Sequence, residues 1–154
     1  MSVERLVIER LGHRGEGVAS IGNRRVFVPY ALPGETVIAE VDGEQARLVD
    51  IVEASPLRVA PICPHFGDCG GCAVQALRAE AYAEWKRGLV ESALSNAGLS
   101  CEVAPLVDAH GAGRRRVTFH ARFDSGIARV GFMASRSHRI VEIGACPLLA
   151  PELD

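Results

Sequence analysis

Pro61-Ile62-Cys63-Pro64-His65-Phe66-Gly67-Asp68-Cys69-Gly70-Gly71-Cys72 holds three of the chain's five cysteines, at spacing C-x5-C-x2-C. A packed core has no use for three thiols this close together. A metal or a cluster does, because thiolates are soft ligands and a short loop lets them converge on one point. The glycines agree, since a chain wrapping closely around an inorganic centre needs small residues and permissive backbone angles. Three thiolates are one short of the usual four. Cys146, in Gly144-Ala145-Cys146-Pro147, is the natural completion.

Three readings of Cys63, Cys69, Cys72 and Cys146 compete. The first is an iron–sulfur cluster with four thiolates. The second is a structural four-cysteine zinc site, although such sites usually combine two short pairs. The third is a set of disulfides or a redox C-x2-C pair, neither of which needs Cys63. Cys101 lies outside the pattern, at the head of an apolar strand, and reads as a small buried hydrophobe.

Outward from the loop, Ser55-Pro56 to Pro61 reads as a linker. Upstream of it, residues 1–55 form a small β domain. Runs at 3–11, 17–21, 25–29, 36–41 and 46–52 are separated by Gly22-Asn23, Pro33-Gly34 and Asp42-Gly43. Five short strands with no helical period suggest a small barrel of the OB type, with a plain β-meander as the bland alternative.

Downstream, residues 56–154 form an α+β unit. Leu77, Ala81, Trp85, Leu89 and Ala93 repeat every four residues and predict a helix over 74–97, with Trp85 in the core and Asn96-Ala97-Gly98 as the stop. Segments 102–107, 115–123, 127–132 and 138–143 read as strands, the second and third joined at Asp124-Ser125-Gly126.

Composition sets limits. Of 154 residues, 48% are hydrophobic and 23% charged, as in a soluble globular protein. Lys plus Arg total 17 against 19 for Asp plus Glu, so any nucleic-acid site must be a local patch. Such a patch exists: between Arg114 and Arg139 lie seven arginines and one acid, Asp124. A charge run is usually a solvated face, but Arg114-Arg115-Arg116 on a strand would send guanidinium groups to both sides, where they match phosphate geometry. Arg122, His120 and His138 join that region. In the β domain, Arg14, Arg24, Arg25, Phe27 and Tyr30 sit near turns, where charge and stacking grip single-stranded nucleic acid. Phe27 reads equally well as core. No secretory h-region or membrane-spanning run is present, so the expected compartment is the cytoplasm, with no membrane partner. No P-loop, GxGxxG, HExxH or serine-hydrolase elbow is visible.

The stretches Leu11-Gly12-His13-Arg14-Gly15-Glu16-Gly17-Val18-Ala19 and Val26-Phe27-Val28-Pro29-Tyr30-Ala31-Leu32-Pro33-Gly34-Glu35 resemble a TRAM domain, an RNA-binding β-barrel. The cysteine loop resembles the [4Fe-4S] motif of bacterial RNA uridine-5-methyltransferases that carry this domain. Arg114–Arg116, Gly131-Phe132 and Ser137 to Pro147 continue the resemblance in order. It implies a [4Fe-4S] cluster on Cys63, Cys69, Cys72 and Cys146, and an rRNA or tRNA partner. It also implies methyl transfer from S-adenosylmethionine to C5 of a uridine, in a C-terminal Rossmann-like domain that this chain lacks. The chain alone is therefore expected to be inactive, with no catalytic residue among its cysteines. Outside the resemblance, a zinc-stabilised nucleic-acid adaptor and a small iron–sulfur redox protein are the alternatives.

Overall fold

The structure is a computed structural model that describes residues 1–108, 113–124 and 126–153. Two compact units emerge: Met1–Ala60 with Ala76–Leu106, and Pro61–Gln75 with Val107–Asp154. No helix among the described residues is long and apolar enough to cross a membrane.

In the first unit, period-two alternation builds the strands. β1 (Ser2–Val7), β2 (Arg10–Leu11), β3 (Gly17–Ile21), β4 (Arg24–Val28), β5 (Thr36–Asp42) and β6 (Gln45–Glu53) form one sheet in the order β1-β5-β6-β4-β3-β2. Leu6, Ile8, Ala19, Val26, Val28, Val37, Ala39 and Val41 turn to one side and make the core. The expected five-stranded barrel is thus a six-stranded sheet that does not close. The run at 3–11 is two strands because Ile8 leaves the ladder. Its N–H donates to Glu35 O (2.9 Å), and the next N–H, of Glu9, donates to Val18 O (2.8 Å), which shifts pairing from β5 to β3.

Helix α1 (Ala79–Asn96) groups with this sheet rather than with the cysteine loop, a different division from a break at residue 55. It starts five residues later than its apolar stripe suggests. Residues 76–78 are already committed as extended chain: Val59 N–H donates to Ala76 O (2.8 Å) and Arg78 N–H to Leu57 O (2.9 Å). None of its residues is fully buried. Trp85 is therefore half-buried rather than core. Segment 102–107 is not a strand, and Cys101 is exposed rather than buried.

The second unit holds a three-stranded antiparallel sheet, β7 (His120–Asp124), β8 (Ile127–Met133) and β9 (Ile140–Glu142), and a single 3₁₀ turn at Pro151–Leu153. Asp124 pairs with Ile127 across β7–β8, and the turn expected at Asp124-Ser125-Gly126 falls on Ser125, which lies outside the described residues, as do Gly111 and Ala112. Arg115 and Arg116 do not belong to a strand. Arg114 forms only an isolated bridge with Leu149, its N–H donating to Leu148 O (2.8 Å) and its O accepting from Ala150 N–H (3.0 Å). With no strand there, strand alternation does not send these arginines to two faces, contrary to expectation.

Candidate metal centre and nucleic-acid interfaces

Cys63, Cys69, Cys72 and Cys146 all line one cavity of about 160 Å³ in the second unit, together with His65, Gln75, Arg114 and Arg116. Two distant segments deliver them. Hydrogen bonding within the loop shapes the first: Phe66 N–H donates to Cys63 O (3.1 Å) and Cys69 N–H to His65 O (2.9 Å). Cys63 N–H donates to Gln75 Oε1 (3.2 Å), which ties the loop's two ends. The loop is then fastened to the turn after β8. Gly70 N–H donates to Met133 O (2.9 Å), Ser135 N–H to Asp68 O (2.9 Å), and Arg139 pairs with the Asp68 carboxylate. Gly70 suits this seam, because a Cβ there would lie a tight 3.0 Å from Met133 O and 3.3 Å from Ser135, so its neighbours would have to give.

Burial pushes the Cys72 thiol above its ordinary pKa, against a hydrogen bond with Gln75 and the charge of Arg114; Cys69 and Cys146 push it further up. The five cysteines form no disulfide.

The cavity and the metal-site geometry pull in different directions. Among the described residues, no three His, Cys, Asp or Glu side chains converge tightly enough to hold one metal ion. The donor set, four thiols with no Asp or Glu in the lining, suits a multi-iron cluster and a zinc ion alike. So does the unit's small core: among its described residues only Ala134, Ile140, Val141, Leu149 and Ala150 are buried hydrophobics, while Phe119, Phe123, Ile127 and Val130 are exposed. A unit with so little core needs a further cross-link or cover.

A second cavity of this unit, about 530 Å³, is lined by His120, His138, Arg136 and Ser135. In the first unit a groove of about 590 Å³ runs between α1 and the sheet, lined by Arg10, Arg25, Phe27 and Trp85. Trp85 is oriented by its indole N–H, which donates to Gly12 O (3.2 Å).

Residues 2–45 match the TRAM domain. Over 148 residues the chain is 43% identical to an uncharacterized RNA methyltransferase of Brucella suis biovar 1, covering 96% of this chain and 36% of that protein. The chain is a relative of TRAM-containing RNA methyltransferases. An uncharacterized RNA methyltransferase of Caulobacter vibrioides is 44% identical over 151 residues, covering 96% of this chain and 36% of its own. The 23S rRNA (uracil(1939)-C(5))-methyltransferase of Halomonas elongata is 42% identical over 157 residues, covering 96% and 32%. The chain thus spans about a third of the length of the curated relatives it matches.

Of the predicted arginines in residues 2–45, Arg14 is exposed in a turn, Arg24 is exposed at the start of β4, and Arg25 lines the groove. In the second unit Arg114 and Arg116 reach the cysteine cavity, while Arg115 is exposed outside it. Arg122 faces Arg129 across the β7–β8 hairpin, and His138 lies at the second cavity. Sequence reasoning missed Arg10, because its isolated charge in a β run carries no motif. It also missed Asp68 and Gln75, whose polar side chains inside a cysteine loop were a usable sign of a loop-ordering role.

Proposed function

We propose that this chain is the RNA-recognition and iron–sulfur portion of a methyltransferase acting on C5 of a uridine in ribosomal or transfer RNA. The observation that carries the reading is the 42% identity, over nearly all of this chain, to an enzyme named for that reaction on 23S rRNA. In this reading the TRAM sheet and the arginines of the second unit hold RNA in the cytoplasm. Cys63, Cys69, Cys72 and Cys146 hold a [4Fe-4S] cluster, which when bound supplies a four-point cross-link between residues 63–72 and the segment around Cys146. Gln75 orients Cys63, and Arg114 offsets the negative charge that four thiolates bring. Methyl transfer needs S-adenosylmethionine, a nucleophile and a base, and no residue here is assigned to that chemistry.

Anaerobic purification followed by iron, sulfide and zinc analysis tests the cluster. Near-stoichiometric four-iron loading with broad visible absorption is expected. One zinc per chain with neither iron nor sulfide would replace the cluster with the zinc adaptor. RNA binding is tested separately, by affinity for rRNA and tRNA fragments across a salt series. Affinity that is absent at low salt would remove the RNA reading.

A further inference from the structure

Strand alternation leaves Arg25 and Phe27 on the outer face of β4, since Val26 and Val28 between and beside them are fully buried in the core. Arg10 pairs with Val18 across β2–β3, and Val18 pairs with Phe27 across β3–β4, so Arg10 shares that face. Helix α1 stands over it with Trp85, Gly88 and Leu89 toward the same groove. Packing covers part of this face, since Val18 is almost fully buried there, but Phe27 and Trp85 are only half-buried where they line the groove. Trp85 satisfies its one polar atom on Gly12 O, and Lys86 Nζ lies 5.9 Å from its ring centroid. No Asp or Glu lines the groove. Aromatic faces flanked by guanidinium groups, with no carboxylate to repel phosphate, are the chemistry of single-strand binding.

We propose that this groove takes a segment of single-stranded RNA, its bases stacking on Trp85 and Phe27 and its phosphates meeting Arg10 and Arg25. The proposal rests on the RNA reading above and adds the location and the strand state. Duplex RNA keeps its bases stacked and paired, and offers the groove no ring to insert.

Two features make the test sharp. Trp85 is the chain's one tryptophan, so its emission reports this groove alone. A Cβ at Gly88 meets nothing within 4 Å, and leucine is a better helix former than glycine. Gly88→Leu therefore fills the groove while preserving the helix. The chain is titrated with octauridylate and with an eight-base-pair RNA duplex, following Trp85 emission and, independently, binding by calorimetry. Octauridylate is expected to quench Trp85, the duplex to leave it unchanged, and Gly88→Leu to weaken octauridylate binding about tenfold with its circular dichroism retained. If Gly88→Leu misfolds, Phe27→Leu, which keeps an apolar side chain and removes the ring, carries the same expectation. Calorimetric binding of octauridylate with Trp85 emission unmoved and both variants unimpaired would overturn the groove and leave the RNA reading standing. Equal quenching by the duplex would overturn the single-strand claim. Binding of neither RNA would overturn both readings.

Discussion

Glu35 is fully buried, and its carboxylate accepts hydrogen bonds from Leu32 N–H (2.8 Å), Ser55 N–H (3.4 Å) and the Arg58 guanidinium, whose Nη2 also reaches Tyr30 O (2.7 Å). Burial acts to raise its pKa, but the Arg58 hydrogen bond, the Leu32 N–H and the charge of Arg58 outweigh it, and the carboxyl sits below its ordinary value. Glu35→Ala leaves Arg58 without its counter-charge and is expected to cost about 3–5 kcal/mol in urea unfolding. The pH dependence has a definite sign. A depressed carboxyl contributes stability that is present above the unfolded-state value near 4.5 and is lost as pH falls through the folded value. Wild-type stability should therefore fall with acidification in that window, and Glu35→Gln should show a shallower fall; parallel curves would remove Glu35 as the cause. In the sequence Glu35 reads only as the residue after a Pro33-Gly34 turn. Nothing local marks Arg58, in what looks like a linker, as its partner.

At the scale of elements, the two adjacent glycines of the cysteine loop separate packing from mere permissiveness. A Cβ at Gly70 would press on the Met133 carbonyl and on Ser135, whereas at Gly71 the nearest atom is Cys69 Sγ at 3.5 Å, an ordinary contact. Gly70→Ala is expected to lose about 1–3 kcal/mol by prying the loop from the turn after β8. Gly71→Ala should stay within about 0.5 kcal/mol of wild type. Thermal unfolding of the two variants side by side checks this, and equal losses would show that the seam is not what the glycine serves. Sequence reasoning attached both glycines to the inorganic centre, because a β-bridge to residues sixty positions away leaves no local trace. The same limit explains the segments it misread. Strands β3 to β6 were legible because alternation and turn residues are local. The start of α1 was not, since the contacts of residues 76–78 with residues 57–59 decide it, and neither was the Arg114 region, which pairs with residues 148–150.

Across the whole molecule, charge acts over distances that no single element spans, and so would the proposed cluster. If Arg114, Arg115 and Arg116 each neutralise one RNA phosphate, replacing all three with alanine should flatten the dependence of log affinity on log salt by about 2 for a single strand. An unchanged slope would place those arginines off the RNA. Cys146 raises the longer-range question. The loop it would close with Cys72 runs through about seventy residues, and the chain entropy removed from the unfolded state grows only slowly with that length. The larger effect is therefore binding itself, because ligation free energy becomes folding free energy when no site exists in the unfolded chain. The two units differ in what they have without it. The TRAM sheet carries a continuous core of fully buried side chains, while the second unit has only five buried hydrophobics among its described residues. Cys146→Ser is then expected to lose the cluster's visible absorption and the amide protection of β7 to β9, while β1 to β6 keep theirs in hydrogen exchange. Protection lost equally in both sheets would mean that the cysteines support the fold as a whole. Protection kept in both, with the absorption gone, would make the cluster a passenger in an already stable unit.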